Sequence, residues 1–301
     1  MAGEQGFEAW MKAVQQEVEQ SLARYLPGVA QVPSGLHEAM RYAVLDGGKR
    51  VRPLLVFAAG ELFDAKPQTS ARSAVAIEMI HAYSLVHDDM PCMDDDALRR
   101  GKPTVHVKYG EANALLVGDA LQAQAFLVLS EADVDMEPEA SRRLTMLNLL
   151  AQAAGSVGMC GGQAIDLASV GLKLSLPEIE QMHRLKTGAL LRASVMLGAM
   201  GGKALSVEEQ AALAAYASAT GLAFQVVDDV LDATADSATL GKTAGKDAAD
   251  DKPTYVSILG LEPSRQLAEK LRNDAHAALV PFGEKARRLR ELADLIVHRC
   301  A

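Results

Sequence analysis

The sequence predicts an all-α protein, and three observations carry that expectation. Alanine and leucine dominate, which favours helix, while aromatic residues make up only 4% of the 301. Apolar residues recur at three- and four-residue steps over long stretches, the mark of a helix with a buried face. No stretch alternates apolar and polar residues for long enough to support a sheet. With 49% apolar residues a sizeable core can form, and the length suits one large domain or two small ones. There is no internal repeat at solenoid period. The expectation is one domain over 1–301, built from about ten helices or more.

Taken in order, residues 72–87 carry Val75, Met79, Ala82, Leu85 and Val86 at helical steps. Residues 112–130 and 208–232 behave alike, the latter ending in Phe224, Val226, Val227 and Leu231. Ser175-Leu-Pro-Glu178 and Ser206-Val-Glu-Glu209 are capping boxes that start helices. Breaks are expected at Glu131–Pro138, Gly171–Lys173, Met200–Leu205 and the polar stretch 233–253. That last stretch is long for an inert connection and carries Lys242, Lys246 and Lys252, which favours a functional lid.

Net charge is −9, and no basic stripe balances it, so nucleic acid is not an expected partner. The three cysteines, Cys92, Cys160 and Cys300, match no zinc or redox spacing and read as reduced thiols of a cytoplasmic protein. The N-terminus lacks a basic then apolar leader. No uncharged apolar run approaches a membrane span of roughly 20 residues, so no membrane anchor is expected.

The chemistry concentrates in two acidic clusters. In Asp228-Asp229-Val-Leu-Asp232, helical spacing puts three carboxylates on one patch after an apolar run. Their repulsion costs stability unless a cation neutralises it, and such oxygen ligands suit magnesium, which also bridges to phosphates. The other cluster, Asp88-Asp89…Asp94-Asp95-Asp96, ends a second apolar helix, where carboxylates oppose the helix dipole. Either cluster alone could be a solvated face. Together, with Arg99-Arg100 after one and Lys242 and Lys252 after the other, they suggest a shared site for metal, diphosphate and cations. A third basic group, Gly47-Gly-Lys49-Arg50-Val-Arg52-Pro53, fits a second anionic pocket or a solvated turn.

From about residue 36 onward these motifs resemble the trans-prenyltransferase family, the isoprenyl diphosphate synthases. The resemblance rests on the Gly47–Pro53 turn, His81, Asp88-Asp89…Asp94, Arg99-Arg100-Gly101, Gly162-Gln163…Asp166, Lys186-Thr187-Gly188 and Phe224-Gln225…Asp228-Asp229…Asp232. It implies an isoprenoid synthase-type helical bundle around a deep central cavity, in a homodimer. It implies magnesium as cofactor, with three ions per site once substrate is bound. The implied ligands are Asp88, Asp89 and Asp94 from one cluster and Asp228, Asp229 and Asp232 from the other. Arg99, Lys186, Thr187, Gln225, Lys242 and Lys252 would contact the allylic diphosphate. Lys49, Arg52, His81 and Arg100 would hold isopentenyl diphosphate. Cys92 inside the first motif is treated as a spacer. The approach to Lys252, Asp250-Asp251-Lys-Pro253, departs from the glycine-containing pattern of relatives and weakens that assignment.

The implied reaction ionises an allylic diphosphate and attacks the cation with the double bond of isopentenyl diphosphate, with Lys186, Arg99 and Lys242 stabilising the leaving group. The short-chain bacterial members, which have a tyrosine five residues before the first motif, are most alike. Tyr83 stands there, ~7–8 Å below the metal end at 1.5 Å per residue, although Ser84 points more directly beneath Asp88. With Tyr83 as floor, dimethylallyl and geranyl diphosphate as primers would yield the C15 product, farnesyl diphosphate. Competing readings are a synthase of C20 or longer chains, a class I terpene cyclase and a catalytically silent partner subunit. The intact Asp228–Asp232 motif and the Gly47–Pro53 basic turn oppose the cyclase reading. His87 and His106 are expected to be structural. Gln163 and Asp166 are open between cavity and packing roles.

Overall fold

The structure is a computed structural model that describes residues 6–131, 139–172, 174–234 and 254–299. It is all-α apart from one two-stranded hairpin among the described residues. Four helices open the chain: α1 (Phe7–Tyr25), α2 (Ser34–Val44), α3 (Val51–Leu62) and α4 (Pro67–Asp88). After the hairpin come α5 (Val105–Tyr109), α6 (Glu111–Ser130), α7 (Ala140–Ala154), α8 (Met159–Ala168) and α9 (Leu176–His183). A π-helical turn, Arg184–Gly188, joins α9 to α10 (Ala189–Gly202). The chain continues through α11 (Val207–Thr234), α12 (Tyr255–Leu259), α13 (Leu261–Ala278), a 3₁₀ segment Val280–Ala286 and α14 (Arg287–His298).

The helices α3, α4 and α10 form the centre. All three are buried along most of their length; α3 and α10 are apolar on most of their circumference, as fully buried helices are, whereas α4 also buries polar side chains such as Arg72 and Glu78. Between α3 and α10 the backbones nearly touch: a Cβ on Gly198 would stand 2.1 Å from the Val56 carbonyl oxygen. A second core, with Ile179, Leu222, Val226 and Tyr255, ties α9, α11 and α12 together. This arrangement holds the C-terminal end of α4 in the wall of one cavity and Phe224 of α11 in the wall of a neighbouring pocket.

The expected helix starts are present. At α11 the Glu209 carboxylate accepts from the Ser206 N–H and the Ser206 hydroxyl accepts from the Glu209 N–H, the reciprocal capping box. At α9 Glu178 accepts from both the N–H and the hydroxyl of Ser175. The expected break at 200–205 falls later, because α10 runs on to Gly202. The expectation of a chain without strands needs one correction. Leu98–Arg99 pairs antiparallel with Lys102–Pro103. Its loop residues Arg100 and Gly101 both have positive φ, 53° and 74°, the conformation a tight two-residue hairpin requires. By length and hydropathy α6 could also cross a membrane, but it packs against α2, α4, α5 and α7 as a bundle helix.

Candidate active site

The first acidic cluster is shaped by the way α4 ends. The Asp94 N–H donates to the Asp88 carbonyl (2.8 Å) and the Asp96 N–H to the Asp89 carbonyl (3.2 Å). The loop therefore turns back on the helix end and sets Asp94 beside Asp88. Burial, and then the nearby carboxylates Asp94 and Asp89, push the Asp88 carboxyl up to about 6 against the pull of Lys186 and Arg99. Asp89 has a different environment. It is buried, and both its oxygens accept from Arg99, at 2.5–2.8 Å, a bidentate pairing. The hairpin makes this possible by returning Arg99 to the end of α4. Its neighbour Arg100 lies over Gly47-Gly48. Gly48 has φ +94°, and a Cβ there would stand 2.8 Å from an Arg100 guanidinium nitrogen. The two adjacent arginines thus serve two walls.

The second cluster is equally differentiated. Asp229 is buried; Oδ1 accepts from Gln225 Nε2 (2.9 Å) and Oδ2 from the Tyr255 N–H (2.8 Å). Asp232 is also buried. Asp228 is more open and accepts from Arg299 Nη2 at 2.5 Å. Arg299 donates as well to the Phe224 carbonyl (2.9 Å) and stacks on the Phe224 ring at 3.8 Å. Local spacing gave no sign of Arg299, which lies 71 residues from Asp228.

Lys186 and Thr187 stand in the π turn, a local widening often found at functional sites. A Cβ on Gly162 would fall 2.1 Å from the Lys186 backbone nitrogen, so that glycine lets α8 lie directly against the turn. Lys186 Nζ donates to Asp166 at 2.5 Å, and Thr187 Oγ1 to Gln225 Oε1 at 3.4 Å. Asp166 is buried and pairs with the lysine of the site without lining the cavity. Gln163 lines the cavity with a buried amide nitrogen that has no partner.

The residues enclose two connected spaces. One is an open cavity of about 380 Å³ whose lining includes Tyr83, Ser84, Asp88, Cys160, Lys186 and Thr187. The other is a basic pocket of about 140 Å³ whose lining includes Lys49, Arg50, Arg52, Glu78, His81, Arg100, Phe224 and Arg299. Arg52 and His81 line both. Burial and the surrounding arginines hold the His81 pKa well below its usual range, so the ring is neutral and can donate one hydrogen bond. Beneath the turn, Glu78 accepts from Arg50 at 2.6 Å, and Arg50 also reaches Glu19 at 2.8 Å. Lys242 and Lys252 lie outside the described residues, as does most of 233–253. His106 bonds Thr104, in keeping with a structural role, whereas His87 lines the cavity.

Among the described residues no three carboxylate, histidine or cysteine side chains converge closely enough to hold an ion unaided. Magnesium takes one or two carboxylates and completes its shell with water and phosphate oxygens. The proximity of Asp88 and Asp94, and the raised pKa of Asp88, mark negative charge that a cation would offset.

Residues 33–280 match the family model described as polyprenyl synthetase. The chain belongs to this family. It is 47% identical over 303 residues to the farnesyl diphosphate synthase of Escherichia coli, covering 97% of this chain and 99% of that one. A structure of an FPP/GFPP synthase from Zymomonas mobilis superposes with a TM-score of 0.86 at 44% identity, over 97% of this chain and 98% of the other. A geranyltransferase from Helicobacter pylori, complexed with magnesium and isoprenyl diphosphate, gives 0.83 at 31% identity and 98% coverage of both chains.

Proposed function

We propose that the protein is a magnesium-dependent prenyltransferase. It condenses isopentenyl diphosphate with dimethylallyl and then geranyl diphosphate, giving farnesyl diphosphate and diphosphate. One observation carries the reading. A cavity that carries Asp88 and Lys186 and is otherwise largely apolar adjoins a basic pocket through Arg52 and His81. Two anionic headgroups and one hydrocarbon tail match that division. The name of the E. coli relative supports the C15 product, and the magnesium complex of the H. pylori protein supports the metal.

Asp88, Asp94 and Asp228 are the carboxylates placed to hold magnesium with the allylic diphosphate, three ions per site being the proposed full complement. Asp232, one helical turn after Asp228, adds charge to that site, while Asp89 and Asp229 act through Arg99 and through Gln225 and Tyr255. Magnesium would stabilise charge on the departing diphosphate. Lys186 and Arg99, with Lys242 and Lys252 from the segment outside the described residues, add positive field at that group. Lys49, Arg52 and Arg100 hold the isopentenyl diphosphate, and neutral His81 donates a hydrogen bond to it. Bond formation then couples the allylic carbon to the double bond, and the departed diphosphate takes the proton that is lost. Tyr83, with Ser84 beside it, ends the cavity and limits the chain. The outward Leu115, Leu116 and Leu127 of α6 suit the surface of a homodimer, in a single catalytic domain in the cytoplasm.

Incubation with magnesium, dimethylallyl diphosphate and isopentenyl diphosphate, followed by chain-length analysis, tests this reading. A dominant C15 product supports it, C20 or longer replaces the product assignment, and no condensation removes it. Asp88→Ala and Asp228→Ala each lower turnover by orders of magnitude with the fold intact; near wild-type rates would remove the metal assignment.

A further inference from the structure

Two helices face each other across the lower cavity. From α4 come Tyr83, Ser84 and His87; from α8 come Met159, Cys160, Ala164 and Leu167. They are joined by a hydrogen bond between the Tyr83 hydroxyl and the Cys160 sulfur, at 3.4 Å. Tyr83 is 5% exposed, and a phenol so deeply buried needs a partner for its hydroxyl.

The Tyr83 ring is fixed from a second direction. It meets the His87 ring edge-on, with centroids 5.8 Å apart and planes at 77°. His87 Nε2 in turn lies 3.1 Å from the Leu115 carbonyl oxygen. Gly118 leaves the space for that ring, since a Cβ there would come 2.0 Å from Nε2. The ring can therefore leave its position across the cavity only by giving up the bond to Cys160. The sulfur itself is soft and polarizable, suited to contact with a hydrocarbon tail.

We propose that Cys160 is a specificity-determining residue, forming with Tyr83 a two-sided constriction that sets where the growing prenyl chain stops. The inference rests on the prenyltransferase reading above and deepens it. Cys160 acts in two ways: its side chain narrows the cavity from α8, and its hydrogen bond holds the phenol of Tyr83 in the path from α4. Neither action touches the diphosphate end, so the first condensation and the stopping point are separable.

The test compares Cys160→Ala, Cys160→Met and Tyr83→Phe with the wild type. Each full-length enzyme is given dimethylallyl diphosphate, isopentenyl diphosphate and magnesium, and its products are sized. Cys160→Ala widens the cavity and frees the phenol, raising the ratio of C20 to C15 product about tenfold, the scale set by one small group in an apolar pocket. Cys160→Met narrows it and moves product toward C10. Tyr83→Phe, which removes only the hydroxyl, shifts product the same way as Cys160→Ala but less. Far-ultraviolet circular dichroism and the thermal midpoint of each variant report an intact fold independently of turnover. Unchanged product ratios in both Cys160→Met and Tyr83→Phe overturn the inference. A wild type that makes a chain other than C15 overturns the product reading alone; the opposed displacements from its own length still decide the role of Cys160.

Discussion

Arg299 places its guanidinium 2.5 Å from the Asp228 carboxylate while stacking on Phe224 and lining the basic pocket. One cation thus stands between a proposed metal ligand and a proposed diphosphate pocket. Its own charge is partly opposed there: burial lowers the Arg299 pKa and Asp228 raises it. Arg299→Gln removes the charge and shortens the side chain, so the contact with Asp228 is lost. Asp228 then meets magnesium without a competing cation, so the magnesium concentration for half-maximal rate falls severalfold. The pocket loses a donor, and the KM for isopentenyl diphosphate rises about tenfold, the scale of one charge-assisted hydrogen bond. Steady-state titrations of metal and substrate read both. An unchanged metal requirement would show that the ion pair does not compete with metal.

The raised pKa of Asp88 makes a prediction about stability. Its carboxyl goes from an ordinary 3.8 to about 6 in the folded protein, so the folded state binds the proton more tightly. That contribution is complete below the ordinary value and is lost as pH rises through 6. Above that pH the ionised group destabilises the fold; since it is only partly buried, the cost is about 1–2 kcal/mol rather than the full value of the shift. Asp88→Asn therefore unfolds at higher temperature than wild type at pH 7.5 without metal, and at nearly the same temperature at pH 4. Magnesium with inorganic pyrophosphate raises the wild-type midpoint more than that of the variant. Thermal scans at the two pH values, with and without these ligands, check the order.

Much of this site was legible because its chemistry is local in sequence. The carboxylates of 88–96 and 228–232 stand out as charge at the ends of apolar runs, and the Ser206-Glu209 capping box is read within four residues. What spacing could not show is how the carboxylates divide their work. Asp89 looks like Asp88 in the sequence, yet a hairpin loop with two positive-φ residues returns Arg99 to it. Asp229 looks like Asp228, yet the Tyr255 N–H reaches it from 26 residues away. The π turn at Arg184–Gly188 left no signature either, because its residues suit an α-helix equally well. Cys160 matched no motif, since its meaning comes from meeting a side chain 77 residues distant.

Glu78 is the buried counter-charge beneath the basic turn. It pairs with Arg50 at 2.6 Å, and its field also favours the charged forms of Arg52 and Arg100. Arg50 has φ +52° at the residue preceding α3, so this pair also fixes the direction in which Lys49 and Arg52 leave the turn. Glu78→Gln leaves Arg50 with Glu19 and the Val44 carbonyl. Breaking one partner of a buried pair costs about 3 kcal/mol, visible as a lower urea midpoint. The KM for isopentenyl diphosphate rises while that for the allylic substrate stays near wild type. Equal changes in both would mean that Glu78 supports the whole bundle and not this wall.

Gly162 offers the sharpest steric test. Its backbone lies against the π turn, and a methyl group there would stand 2.1 Å from the Lys186 nitrogen and 2.5 Å from its Cα. These are backbone atoms, which cannot rotate away as a side chain can. Gly162→Ala therefore pushes the turn off α8, and Lys186 moves with it, away from Asp166 and the diphosphate. Overpacking of this kind costs about 1–3 kcal/mol of stability. The larger effect falls on catalysis: displacing a charged group by about 1 Å lowers the rate of allylic ionisation roughly a hundredfold. Gly161→Ala is the comparison, because its Cβ would meet the Ser156 carbonyl oxygen and not the turn. It destabilises the start of α8 while leaving Lys186 in place. A thermal midpoint and a single-turnover rate for each variant separate the two: both lower the midpoint, and only Gly162→Ala loses the rate. Equal rates would show that the contact with the turn packs the fold without positioning the lysine.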